Sequence, residues 1–228
     1  MSSEKPKQEN LLLSIGANIV VPALLLSKGS DWLPGLAPWL ILLIALAFPC
    51  VYFFYDLWVR RTANYVSILG FSGTLLTGSI GLLQLAPIWV AVKEAVVPAL
   101  IGLFLLLFPS EKFFLNAQIF NLEKIEALCA ARGSRERLSR GLKKCSYFLV
   151  AAFALSAVLN FVLARWIVVT DPAQNLEQFN VELGKMMALS WPVIVVPSMI
   201  FMIVALVLFF KVLRNETGEK IEALLVER

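Results

Sequence analysis

The sequence predicts an all-α fold: a polytopic transmembrane helical bundle of six spans with both termini in the cytoplasm. Of its 228 residues, 59% are hydrophobic and only 16% are charged, whereas a soluble domain has about 45–50% apolar and about 25% charged residues. The apolar residues form long runs with few charges, which is typical of segments that cross a lipid bilayer. The composition therefore excludes a water-soluble globule and a disordered chain.

Six apolar segments approach the roughly 20 residues that a helix needs to cross a hydrocarbon core of about 30 Å. They are residues 11–27, 36–59, 65–83, 88–108, 145–169 and 191–213. Residues 84–87 join the third and fourth segments as a tight antiparallel hairpin. The spans then form a four-span half, residues 11–108, and a two-span half, residues 145–213. Outside them lie a short N-terminal tail, a cytoplasmic linker and a C-terminal tail, predicted as a short charged helix: residues 1–10, 109–144 and 214–228.

The positions of lysine and arginine orient the bundle, because these residues are retained on the cytoplasmic side of a span. With the N-terminus inside, only Lys28, Arg165 and Lys185 lie at or beyond the outer face, and Lys93 lies within a span. The remaining basic residues, including the dense group in the linker, fall on the cytoplasmic side. Both termini are therefore predicted to be cytoplasmic.

What the sequence lacks disfavours several classes of function, among them a metalloenzyme and a membrane enzyme. It has no histidine, the commonest metal ligand and the usual proton shuttle near neutral pH. Nucleotide-binding loops, hydrolase motifs and cysteine pairs at metal spacing are absent too. The net charge of +4 comes from basic residues beside apolar runs, so it indicates membrane topology and not nucleic-acid binding. We expect no enzymatic activity, no cofactor and no metal site.

Lys93 and Glu94 are the sharpest site candidates, because ionisable groups inside a span are costly and usually face a bundle interior or a water-filled cavity. Adjacent residues on a helix point about 100° apart, so each is expected to need a partner elsewhere. Pro98 cannot donate a hydrogen bond to the Glu94 carbonyl and bends the helix there. A proton, cation or anion site at this bend is one interpretation. In the other, Lys93 extends outward to the headgroups near Trp89 and Glu94 forms a structural pair.

Further polar side chains in the spans are candidates for a solute path: Asn18, Asn160, Thr74 and Thr77. Asn18 shares a helix face with Ser14, and Asn160 shares one with Ser156, at matching depth. The two threonines belong to a stripe of small residues along span three. For all four, helix–helix contact through hydrogen bonds and close backbone approach is the alternative interpretation.

The cytoplasmic linker mixes apolar side chains with alternating charges, so it is predicted to form amphipathic helix. Its basic cluster consists of Arg132, Arg135, Arg137, Arg140, Lys143 and Lys144. Such a cluster suits contact with anionic lipid at the cytoplasmic face or with the acidic surface of a partner protein. In the alternative interpretation the linker binds nothing, and it is basic only because cytoplasmic loops of membrane proteins are generally rich in lysine and arginine.

The sequences LTGSIGLL at residues 76–83 and WVAVKEAVVP at residues 89–98 resemble an uncharacterised bacterial family of polytopic inner-membrane proteins. Residues 48–49, 55–57 and 60–61 (FP, YDL and RR) support the likeness, which covers residues 10–110. More remotely, the chain is similar to the inner-membrane septation protein A group, which is implicated in cell division and envelope assembly. That group carries a lysine directly before proline, whereas Lys93 and Pro98 are five residues apart here. The resemblance implies residence in the bacterial cytoplasmic (inner) membrane.

Two functions are compatible with these features. The first is a small transporter or channel-like protein with Lys93 as an anion or counter-ion site and Glu94 as a proton or cation site. The second is a non-enzymatic membrane scaffold of envelope or septum assembly that docks partners through the basic linker. Because six short helices leave room for only a narrow cavity, a transporter of this size is expected to act as a homodimer.

Overall fold

A computed structural model describes residues 16–60, 65–107, 114–117 and 119–226, and of residues 56, 59, 60 and 65–70 it describes the backbone alone. The predicted N-terminal tail and the first residues of predicted span one lie outside this description. The described ranges are helical and contain no strand, apart from one bridging residue pair, Phe120 and Leu225. The predicted all-helical fold is confirmed.

Eight α-helices make up most of the described residues. The π-helical turn Gly16–Val20 leads into α1, a second π-helical turn, Trp191–Val195, joins α7 to α8, and a 3-10 turn, Ile221–Leu224, follows α8. The helices are α1 (Val21–Trp32), α2 (Pro38–Arg60), α3 (Tyr65–Leu82), α4 (Ile88–Leu107), α5 (Leu122–Arg132), α6 (Arg135–Ile167), α7 (Leu176–Ser190) and α8 (Val196–Thr217).

Four helical segments are long and apolar enough to cross a membrane. They are Pro38–Tyr55, Ile88–Leu107, Arg135–Ile167 and the continuous helix Leu176–Thr217. A shorter apolar segment, Phe71–Leu82, lies in α3. The protein is thus a helical membrane protein, while the six spans and the cytoplasmic termini stay predictions.

α7 was not predicted, because its residues were expected to form an outer connection between the last two spans. Asn175 begins this helix by accepting a hydrogen bond from the Gln178 amide at 2.9 Å, an arrangement that stabilises helix N-termini. Through the π-helical turn the helix continues into α8, so that predicted span six lies inside a helix of 42 residues. Because α7 contains several polar residues, a search for apolar runs did not detect that it is continuous with α8.

The predicted cytoplasmic linker contains two helices that meet at a sharp turn. α5 begins at the Asn121 cap and ends at Gly133, which has the left-handed φ of 57°, a conformation that glycine adopts at low cost. α6 starts two residues later and runs on through predicted span five. The basic residues from Arg135 onward therefore belong to the same helix as that span.

The chain divides into two compact units. The first comprises the described residues of Met1–Ala95 together with Leu159–Val193. Within it α1 packs against α2 and α7, and α2 packs against α3. Glycines allow these close approaches: a methyl carbon added to Gly81 would lie 2.6 Å from Leu42 Cδ2.

The second unit comprises the described residues of Val96–Val158 and Ile194–Arg228. Its core joins α5, the first turns of α6, the end of α8 and the C-terminal segment. The buried residues of this core are Phe120, Ile125, Cys129, Leu138, Leu142, Cys145, Phe209, Leu213 and Leu224. Cys129 and Cys145 are free thiols.

The C-terminal segment differs from the predicted charged helix. α8 ends at Gly218, whose φ is 75°, and the chain then turns back over α5. The Lys124 Nζ donates a hydrogen bond to the Ala223 carbonyl at 2.8 Å, and the Asn121 amide donates to the Leu224 carbonyl at 2.9 Å. Leu224 is buried in the core and Ile221 packs against it, so the segment forms part of a core.

Candidate functional site

The clearest site candidate is an ion pair in the second turn of α4. Lys93 Nζ lies 2.5 Å from Glu94 Oε1, with 12% of the lysine side chain and 30% of the glutamate side chain exposed. These two residues are the only ionisable ones in α4. Since a helix rises 1.5 Å per residue, the pair lies about 8 Å along the axis from Ile88. A charge pair thus occupies an otherwise apolar membrane helix, close to one of its ends.

The expectation that Lys93 and Glu94 each need a distant partner was wrong. It used the directions of the two Cα–Cβ bonds, which do diverge by about 100° on a helix. The lysine stem is long and flexible enough to bring its ammonium group back to the neighbouring carboxylate. The two side chains therefore neutralise each other locally.

Pro98 lies within α4, as predicted, four residues after Glu94. Its ring nitrogen carries no hydrogen, so the helix continues without an N–H donor for the Glu94 carbonyl. One short stretch of α4 therefore carries three polar groups that are not part of the regular backbone hydrogen bonding. They are the Glu94 carbonyl, the Glu94 carboxylate and the Lys93 ammonium.

The other predicted path residues of the first unit lie at several places. Asn18 lies in the first π-helical turn and Asn160 lies near the end of α6, both half-buried and both with an interaction partner. Thr77 is buried, and its hydroxyl donates a hydrogen bond to the Gly73 carbonyl at 2.9 Å. Thr74, which also has a partner, is half-buried on α3. Among the candidate residues, Lys93 and Glu94 contact each other directly.

A groove of about 440 Å³ runs between α2 and α3. Thr74 and Ser79 supply polar atoms to a lining that is otherwise mostly apolar: Leu43, Leu46, Ala47, Cys50, Leu75, Gly78, Leu82 and Leu83. Gly78 is one of the lining residues, and a methyl carbon added to it would lie 2.9 Å from Leu46 Cδ1. Such a lining suits hydrocarbon better than a hydrated ion.

The predicted basic cluster is split by intramolecular contacts. Arg137 Nε lies 3.0 Å from Glu216 Oε2, and Arg135 Nη2 lies 3.6 Å from Glu126 Oε1. The guanidinium of Arg132 lies against Gly218, directly where a side chain would begin. These three arginines thus contact other parts of the second unit, in the case of Arg135 and Arg137 through ion pairs that are partly or largely exposed. Arg140, Lys143 and Lys144 lie on the exposed surface of α6.

Glu182 was not predicted as a site residue, although its carboxylate accepts four hydrogen bonds from described residues. It is buried on α7 and accepts hydrogen bonds from the Val169 and Thr170 amides, both at 2.9 Å, and from the Thr170 hydroxyl at 2.7 Å. Gln178 Nε2 also donates to it at 3.2 Å. The carboxylate fastens the connection after α6 to α7. A glutamate inside a predicted helix next to a membrane span would have been noticed as a candidate, but the helix that contains Glu182 was not predicted.

Asn180, two residues earlier on α7, is a second buried polar residue that was missed. Its Nδ2 donates a hydrogen bond to the Pro38 carbonyl at 2.9 Å, while its Oδ1 is buried without a hydrogen-bond partner. The amide thereby ties α7 to the start of α2.

Fold and site together define a helical membrane protein with an intrahelical Lys–Glu pair. Among the described residues, no group of three or more histidine, cysteine, aspartate or glutamate side chains is arranged to hold a metal ion. No known protein-family profile matches the chain, and no characterised protein or solved structure is significantly similar to it.

Proposed function

We propose that this protein is a small transporter or channel-like protein of the bacterial inner membrane, and that the Lys93–Glu94 pair is its ion site. The observation that supports the proposal is the contact of 2.5 Å between these two charged groups in an apolar membrane helix, with both side chains partly exposed.

A purely structural role explains this pair poorly. Removing charges from water costs several kcal/mol per ion, and the attraction between the two charges offsets that cost only in part. Lys93 and Glu94 are neighbours on α4, so their contact joins no two helices. Ionisable residues inside a membrane are commonly parts of ion or proton pathways.

The pair has a simple exchange chemistry. When a proton binds Glu94, the carboxylate becomes neutral and no longer holds the Lys93 ammonium. The ammonium is then available to a small anion, and loss of the proton restores the ion pair. A cation that approaches Glu94 would displace the ammonium in the same way.

The direct test is flux through purified protein in liposomes that contain a pH-sensitive dye, with an imposed membrane potential and a series of small anions. We expect the wild type to move protons or anions. Glu94→Gln removes the titratable group and Lys93→Met removes the charge while keeping the stem, so both are expected to abolish the flux. Lys185→Gln, at an exposed position of α7, is the matched control and should retain it.

The double variant Lys93→Met/Glu94→Met separates an ion site from a structural pair. It removes both charges without leaving either one unpaired, so a folded protein is expected. If that protein is stable and carries no flux, the pair is functional. Full flux from the double variant, or no flux from folded wild type, would contradict the proposal.

A scaffold of envelope or septum assembly is the second candidate, and one observation favours it. The segment predicted as a cytoplasmic linker is folded around its own core with the C-terminal segment, and so it offers a defined surface to a partner protein. Because Arg135 and Arg137 form ion pairs within the chain, reversing their charge would change those pairs as well as the surface offered to a partner. The test is crosslinking in cells from a photoreactive residue at the exposed position Ala127 of α5. Discrete crosslinks to an envelope protein would support the scaffold, and their absence would oppose it.

A further inference from the structure

One face of α6 carries three exposed basic residues, Arg140, Lys143 and Lys144. Their spacing of three and four residues places them side by side on the helix surface. Arg140 Nε donates a weak hydrogen bond of 3.4 Å to the Glu136 carbonyl, one turn earlier. The nearby Glu136 carboxylate belongs to a residue that is likewise exposed.

The same face continues as an apolar surface. Tyr147 is 53% exposed and Phe148 is 39% exposed. At intervals of three and four residues the exposed face then extends through Ala151, Ala154 and Val158. The basic group is thus followed, on one unbroken helix, by side chains suited to hydrocarbon, with a tyrosine at the junction.

The opposite face of this part of α6 is buried. It consists of Leu138, Leu142, Cys145, Ser146 and Ala152. The basic and apolar residues of the exposed face are therefore not needed to hold the helix in its unit, and they remain available to the surroundings.

We propose that this face binds an anionic phospholipid, with the phosphate at Arg140, Lys143 and Lys144 and the acyl chains along Phe148 and Ala151. Charge complementarity identifies the headgroup, and the apolar continuation identifies the rest of the ligand as a lipid. Tyrosine is the residue expected where the two regions meet.

The length of the basic part of this face matches the thickness of the headgroup layer of one leaflet. From Arg140 to Lys144 the helix rises about 6 Å, and the headgroup layer of a bilayer is roughly 5 to 8 Å thick on each side. The apolar residues begin within the next turn. The site is independent of the proposed ion site in α4 and shares no residue with it.

The test is native mass spectrometry of the full-length protein in detergent, titrated with phosphatidylglycerol or with phosphatidylcholine. We expect the wild type to bind phosphatidylglycerol more tightly. Since each basic residue near an anionic surface makes a similar contribution to binding, Arg140→Gln/Lys143→Gln/Lys144→Gln should weaken phosphatidylglycerol binding about 100-fold. Binding of phosphatidylcholine should change much less.

Two further proteins control for charge and folding. Arg165→Gln/Lys185→Gln/Lys220→Gln removes the same charge from other exposed positions and should bind like the wild type. The charge-conserving Arg140→Lys/Lys143→Arg/Lys144→Arg should retain the preference. Equal binding by the first triple variant and the wild type would overturn the proposal, as would an equal loss in the distant triple variant.

Competition identifies the source of the negative charge. Glycerol phosphate, which has the headgroup charge without acyl chains, should not displace bound phosphatidylglycerol at equal concentration. A polyglutamate peptide should not displace it either. Displacement by glycerol phosphate would overturn the lipid assignment in favour of a free phosphate site, and displacement by the peptide would overturn it in favour of an acidic protein partner.

Discussion

Gly184 of α7 packs against Ala23 of α1 so closely that a methyl carbon added to the glycine would lie 2.7 Å from the Ala23 carbonyl oxygen. The same methyl carbon would lie 2.8 Å from the Ser27 backbone nitrogen. Since both are backbone atoms, no rotamer change can make room. The tight contact between α1 and α7 therefore depends on the absence of a side chain at position 184.

Gly184→Ala is expected to destabilise the first unit. The substitution forces the backbones of α1 and α7 apart, and overpacking of this kind costs about 1–3 kcal/mol. Thermal unfolding of purified protein in detergent measures the effect. Gly73→Ala on α3 is the matched control, because nothing lies within 4 Å of the added carbon and alanine favours helix over glycine. A Gly184→Ala protein as stable as Gly73→Ala would contradict the observed helix contact.

Glu182→Gln is expected to loosen the connection between α6 and α7. The carboxylate accepts hydrogen bonds from two amides and a hydroxyl, whereas glutamine turns an NH₂ group toward at least one of these donors. A buried donor left without an acceptor costs about 1–3 kcal/mol. Hydrogen exchange at residues 168–175 should rise in Glu182→Gln and stay unchanged in Glu177→Gln, where the glutamate is exposed. Equal exchange in the two variants would count against this role for Glu182.

The helical membrane fold was predictable because apolar runs report directly on the bilayer as solvent. The same criterion missed α7, since Asn180 and Glu182 are polar residues whose hydrogen bonds become apparent only when the Pro38 carbonyl and the Thr170 amide are near them. Long-range partners of this kind leave no local signal in a sequence.

The candidate site was predictable in part. Lys93 and Glu94 were conspicuous as charges in an apolar run, but their mutual contact depends on side-chain torsions that helix geometry alone does not fix. The basic cluster was equally visible as a group of charges. Which of its members are paired within the chain and which are exposed could not be predicted without knowing where Glu216 lies. Glu216 pairs with Arg137 although it is 79 residues away in the chain.

Leu224→Ala is expected to destabilise the second unit by about 2–5 kcal/mol, the usual cost of truncating a fully buried leucine. Leu224 is 0% exposed in the core with Ile125 and Leu213, while its neighbour Leu225 is 39% exposed. Leu225→Ala is therefore the matched control and should change stability little. Limited proteolysis between α5 and α6 reports on this unit. Equal cleavage rates in the two variants would show that the C-terminal segment does not stabilise the core.

The six predicted spans give a definite accessibility pattern for single cysteines introduced at exposed sites. Ala86→Cys between α3 and α4, and Ala173→Cys between α6 and α7, should react with a membrane-impermeant maleimide on intact cells. Ala127→Cys and Lys220→Cys should react only after permeabilisation. All four positions are exposed, whereas the native Cys129 and Cys145 are buried and Cys50, within the apolar segment Pro38–Tyr55, is half-buried. The labelling of the wild type is therefore measured as the blank.

The decisive positions are Ala86 and Ala173, because both follow α3 in the chain. α3 has 18 residues, a rise of about 27 Å, so it is slightly shorter than a hydrocarbon core of about 30 Å and crosses where the membrane thins a little around it. If α3 does not cross while α4 and α6 do, each later position changes sides. Ala86→Cys and Ala173→Cys are then protected on intact cells, Ala127→Cys and Lys220→Cys react, and the exposed basic face of α6 lies outside.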